Sequence, residues 1–195
     1  MPLPELSDAQ VTWVAGEVAK YIEQQRKRYA KAAAPLSATQ KALLRPFFGD
    51  AVLDSARLVV LKDSQVENPP FYSQLEAMGF DKNLLPDFAD MGAVTFVDVI
   101  VSNGPISTAT LFHELVHVVQ YRKLGLSDFA TKYVTGFLRG GSYERIPLEI
   151  NAYQLDSEYT RNPKRHLAVD DRFHAEPSAS AQNLYASSHG ASHSF

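Results

Sequence analysis

The stretch from Leu111 to Gln120 constrains this chain more than any other part of it. Leu111, Leu115, Val118 and Val119 give the segment an apolar surface, yet His113, Glu114 and His117 lie among them. On a helix turning ~100° per residue, the two histidines point ~40° apart and Glu114 lies ~60° beyond His117, within one arc. Such a helix has to pack in a core while turning one polar stripe towards a cleft. Two neutral imidazoles one turn apart can hold a metal ion, and the carboxylate beside them can reach a water next to it.

The flanking sequence supports a helix. Ala93 to Ser102 is dense in β-branched residues, interrupted only by Thr95 and Asp98, and reads as one strand. Asn103-Gly104-Pro105 ends it, and helix signals run from Ser107-Thr108 to Leu124, with Gly125 placed as a C-terminal cap. A further helix is expected over Ser127 to Leu138, stopping at Gly140-Gly141. After Pro147 a helical pattern resumes through Glu149, Ala152, Tyr153 and Asp156.

Upstream, Ser7 caps an amphipathic helix from about Asp8 to Lys31 whose inner stripe includes Val14, Val18, Tyr21 and Ile22. A second helix is expected from Ser37 towards Phe47. A buried strand follows around Leu58-Val59-Val60-Leu61, and a short helix near Tyr72 to Met78. Past about Ala175 the composition shifts to Ser, Ala, Gly and His, which predicts a disordered tail over 175–195. The expected architecture is one α+β domain over 1–174: N-terminal helices at 8–47, then a core at about 93–156 with a small sheet and flanking helices.

Composition narrows the chemistry. The chain has no cysteine, so a metal has to be held by His, Asp or Glu. Its formal charge of −3 offers no basic footprint for nucleic acid or an anionic membrane. With neither a signal-peptide pattern at the amino terminus nor a stretch of ~20 apolar residues, a cytoplasmic protein without membrane or nucleic-acid partners is expected.

A catalytic zinc takes three protein ligands and leaves a fourth position open. Positions just after His117 hold Gln120 and Lys123, which do not extend the metal set, so the third ligand has to come from farther along. Glu149 is the first choice, on a helix whose small Ala152 permits close approach; Asp156, His166 and His174 are rivals.

The run His113 to Tyr121, with the strand before it and Ile146-Pro147-Leu148-Glu149 after it, resembles the zincin metallopeptidases. More narrowly it is similar to the gluzincin branch and to small bacterial zincin-like domains of mostly unassigned substrate. The resemblance covers about Ala93 to Asp156. It implies zinc ligands at His113, His117 and Glu149 and a general base at Glu114. One departure stands out: the acidic residue expected four positions after the ligand glutamate, to orient a ligand histidine, is Tyr153 here.

The function expected from this reading is hydrolysis of a peptide or protein substrate by zinc-activated water, with Tyr143 as oxyanion donor and Arg145 or His166 as alternatives. Pairing of an extended substrate with an edge strand at Ala93–Ser102 would add main-chain hydrogen bonds. Two other readings compete: a zinc-binding module without turnover, and an amidase or deformylase-type hydrolase of small substrates, a use that commonly needs a cysteine ligand. Retention of Glu114 favours the peptidase, because zinc does not need that carboxylate.

Overall fold

Helix α1 (Asp8–Ala30) begins where Ser7 and Gln10 cap each other reciprocally, and it buries Val14, Ala15, Tyr21 and Ile22. The computed structural model describes residues 3–163 and 167–173. The expected tail and His166, His174, His189 and His193 therefore lie outside the described residues.

A second capping box, Ser37 with Gln40, starts α2 (Ala38–Leu44). This helix is shorter than expected. Phe47 and Phe48 turn inward, each 2% exposed, and a new helix α3 (Asp50–Ser55) follows. Two residues, Ala34 and Pro35, form strand β1, which a proline-ended segment does not announce. β1 pairs antiparallel with β2 (Arg57–Val60), and after β2 comes α4 (Tyr72–Ala77).

Ala93 to Ser102 is a hairpin, not one strand. β3 (Ala93–Phe96) turns through Val97 and Asp98 into β4 (Val99–Ser102), with Phe96 opposite Val99. Val97 takes φ 63, a costly conformation for a β-branched residue, and Arg26 of α1 grips both carboxylate oxygens of Asp98. Folding the run in two lets its apolar residues bury on both faces. Val99 and Val101 face one hydrophobic cluster and Ile100 the other. β4 also pairs parallel with β2, so the sheet order is β1-β2-β4-β3 and β3 is an edge.

The centre of the molecule is α5 (Thr108–Gly140), capped by Ser107 and broken at Gly125, where φ is 74. Gly125 interrupts the helix without ending the element, and the expected second helix continues directly from it. Every residue from Leu111 to Tyr121 is buried, so the polar stripe is enclosed along with the apolar faces. A left-handed Gly141 ends α5, a 3-10 turn spans Tyr143–Arg145, and Pro147 opens α6 (Pro147–Arg161) in its first turn. The fold is α+β in a single domain. Among the described residues no helix is long and apolar enough to cross a membrane.

Candidate metal centre

Two helices meet at the polar stripe of α5. Glycines make the meeting possible: a Cβ on Gly136 would come within 2.5 Å of Pro147 Cδ, and one on Gly140 within 2.6 Å of Arg145 Cβ. Because Pro147 opens α6, this contact seats the first turn of that helix against α5 and carries Glu149 beneath the two histidines. Glu149 is 2% exposed.

The three side chains form a small triangle. His113 Nε2 lies 3.2 Å from His117 Nε2, and Glu149 Oε2 lies 3.5 Å and 3.4 Å from the two rings. Glu149 Oε2 is buried without a hydrogen-bond partner. A buried carboxylate oxygen normally has one, and leaving it bare is costly. Ligand atoms ~2.0–2.2 Å from a shared ion in tetrahedral arrangement stand about 3.3 to 3.6 Å apart. The donor set and spacing therefore fit a cation held by His113, His117 and Glu149.

The electrostatics of the metal-free site point the same way. Burial pushes Glu149 towards its neutral form. The charge of His117, with both imidazoles close by, overrides burial and holds the carboxyl well below the usual range. Burial also acts against charge on His117, but the Glu149 carboxylate outweighs it and raises the imidazole to about 9.

Neighbours fix the ligands. Gln120, fully buried, places Oε1 2.8 Å from His117 Nδ1 and donates through Nε2 to the Leu148 carbonyl and to Asn151 Oδ1. An amide oxygen only accepts, so Nδ1 carries a proton, and in the neutral ring Nε2 keeps its lone pair towards the triangle. Gln120 thus ties the α5 ligand to the first turn of α6. Tyr153 packs its ring on His113, with centroids 4.6 Å apart. Asp156 is half-buried; burial raises its pKa, while His113 and a hydrogen bond from Thr160 act against that rise. It sits within the field of His113 and outside the triangle. Arg145, an alternative donor, is exposed.

Glu114 faces a different partner. Thr95 of β3 directs its hydroxyl at Glu114 Oε2, 2.7 Å away, with the Glu114 backbone carbonyl at 3.1 Å. One oxygen of the carboxylate is thereby held. Glu114, His117, Glu149 and Tyr143 all border a single cavity of about 110 Å³ that β3 also lines. Burial raises the Tyr143 hydroxyl well above its usual range, aided by the nearby Glu149 charge, so it stays protonated and able to donate.

Neither Gln120 nor Thr95 stood out in the sequence. A neutral amide three residues after His117 and a threonine in a strand have common structural uses, and only their burial at the site distinguishes them. Comparison with family models, curated proteins and solved structures returned no match. The assignment to a metal site therefore rests on the geometry alone.

Proposed function

We propose that this chain is a zinc-dependent hydrolase of peptide bonds, of the gluzincin type that its α5 and α6 motifs resemble. The ligand triangle of 3.2, 3.4 and 3.5 Å, with a carboxylate that zinc does not need beside it, carries this reading. Two imidazole nitrogens and one carboxylate oxygen suit zinc better than magnesium or calcium, which take oxygen ligands in larger sets.

Bound zinc supplies a Lewis acid that polarises a carbonyl and makes water acidic enough to ionise near neutral pH. The chain's own groups do the rest. Glu114 takes a proton from the attacking water through the carboxylate oxygen that Thr95 leaves free, and passes it to the leaving nitrogen as the C–N bond breaks. The water oxygen ends in the new carboxyl group. Tyr143, kept protonated by burial, donates to the oxygen that gains charge as the carbonyl carbon becomes tetrahedral. Gln120 holds His117 in the tautomer and orientation that ligation requires. β3 offers its edge at the same cavity, where an extended backbone can pair with it.

The runner-up is a zinc-binding module without turnover. It is favoured by the neutral partner of His117 and by Tyr153 standing where an acidic residue would strengthen a ligand. Zinc content and turnover of an unfolded protein substrate, measured on wild type and Glu114→Gln, decide between them. The hydrolase reading expects stoichiometric zinc in both and a loss of about 10³-fold or more in the variant. Zinc in both with no turnover in wild type leaves the binding module standing. His117→Ala is the control and is expected to lose the metal.

A further inference from the structure

The cavity that reaches Glu114, His117 and Glu149 is not built by the metal-bearing helices alone. Val14, Val18 and Tyr21 of α1 form one wall, and Phe71, Leu75 and Phe88 from the 69–91 segment form another. These elements lie upstream of the region that carries the zincin resemblance. Among the described residues no lysine or arginine lines the space, and its charged groups are confined to the corner occupied by Glu114, His117 and Glu149. Three of the tyrosines that line it have hydroxyls engaged by main-chain carbonyls, while Tyr143 keeps the donor role proposed above. Tyr21 donates to the Glu67 carbonyl, Tyr72 to the Pro86 carbonyl and Tyr121 to the Thr95 carbonyl.

We infer that the substrate carries one bulky, uncharged apolar group beside its scissile amide, and that this group fills the cavity walled by α1 and the 69–91 segment. The inference rests on the hydrolase reading above and adds the substrate class. Charge decides the polarity of the group. Among the described residues the walls away from the Glu114, His117 and Glu149 corner carry no charged side chain, so an anionic or a cationic end would lose its water against apolar and aromatic groups without gaining a partner. Volume decides the size. An apolar cavity of about 150 Å³ holds benzene, so a smaller space of about 110 Å³ limits the group to at most one aromatic ring or a short branched chain and is too small for a long acyl chain. Aromatic walls also favour a ring through edge and offset contacts.

Three hydroxamates test this on the zinc-loaded full chain by calorimetry. Each presents the same zinc-binding head, with a methyl group, a phenylethyl group or a carboxyethyl group attached. The phenylethyl compound is expected to bind at least about 30-fold more tightly than the methyl compound through burial of its ring, and the carboxyethyl compound no more tightly than the methyl one. Val18→Phe, which fills the cavity from α1, is expected to abolish the preference while zinc content stays as in wild type. Phe88→Ala enlarges the space from the other wall and is expected to shift the preference to a naphthyl compound; it reports independently if Val18→Phe does not fold. Equal affinities for the methyl and phenylethyl compounds in zinc-loaded wild type, or no hydroxamate binding there, overturn the inference and leave the metal site intact. Absence of zinc from wild type overturns the hydrolase reading and this inference with it.

Discussion

At the scale of single residues, Gln120 has a larger part in the site than its type suggests. Replacing it with alanine removes the acceptor that holds the His117 Nδ1 proton and frees the Leu148 carbonyl and Asn151 from their shared donor. Loss of such a partner usually costs about 10–100-fold in metal affinity. Competition with a zinc chelator should show that loss in Gln120→Ala, and unchanged affinity would remove Gln120 from the site's design. The Glu149–His117 pair makes a second prediction, for metal-free protein. The imidazole is raised in the fold to about 9, so its contribution to stability is complete below its unfolded value of ~6.5 and vanishes as pH rises through about 9. The carboxyl is lowered by that same charged pair, so the one shared contribution is also lost in acid and is whole only between ~4.5 and ~6.5. The stability gap between wild type and Glu149→Gln, read by urea unfolding without metal, should therefore be wide at pH 6 and narrow at pH 10. A gap independent of pH would mean that His117 is not charged by Glu149.

At the scale of elements, the site depends on how closely α6 approaches α5. Gly136→Ala puts a methyl group 2.5 Å from Pro147 Cδ, a ring atom that cannot swing aside. Overpacking of this kind costs typically ~1–3 kcal/mol, against at most ~1 kcal/mol gained in helix propensity. The variant should be destabilised overall, and should bind zinc more weakly because the displaced turn carries Glu149. Gly16→Ala on α1 meets nothing within 4 Å and should hold or gain stability; equal behaviour of the two variants would show that the helix contact tolerates the methyl group. The same elements show what the sequence makes legible. Capping residues Ser7, Ser37 and Ser107, the break at Gly125 and the proline opening α6 could be placed because each acts through backbone geometry within a few residues. The β3–β4 hairpin could not, because Val97-Asp98 carries none of the glycine or asparagine that usually marks a two-residue turn, and Arg26 of a distant helix grips it. Glu149 was recognisable from its helix pattern. Thr95 acquires its role only through tertiary contact, as does the cavity, whose walls come from segments far apart in the chain; Gln120 meets His117 within its own helix and is fixed there by Leu148 and Asn151 of α6.

At the scale of the whole molecule, α5 separates two hydrophobic clusters and is shared by both. One gathers α1, the sheet face bearing Val99 and Val101, and the second half of α5. The other gathers α2, α3, Ile100, Ala152 of α6 and the first half of α5, with the Phe112 ring stacked 4.4 Å from Tyr159. Neither cluster can open while α5 stays packed, so unfolding should be a single transition. The group of His113, His117 and Glu149 joins that shared helix to α6, so a cation held there makes local binding a matter of global stability. A ligand that binds only the folded state adds about 4 kcal/mol when free ligand stands at 1,000 times its Kd. For a domain of this length each kcal/mol moves the midpoint by about 2–4 °C, so saturating zinc should raise Tm by about 8–16 °C and chelation should reverse it. His117→Ala has lost a corner of the triangle and should show little of that rise, while Glu114→Gln keeps all three ligands and should show nearly all of it. An equal rise in wild type and His117→Ala would place the zinc elsewhere on the chain, and an absent rise in wild type would leave the bare Glu149 oxygen without the cation that its burial calls for.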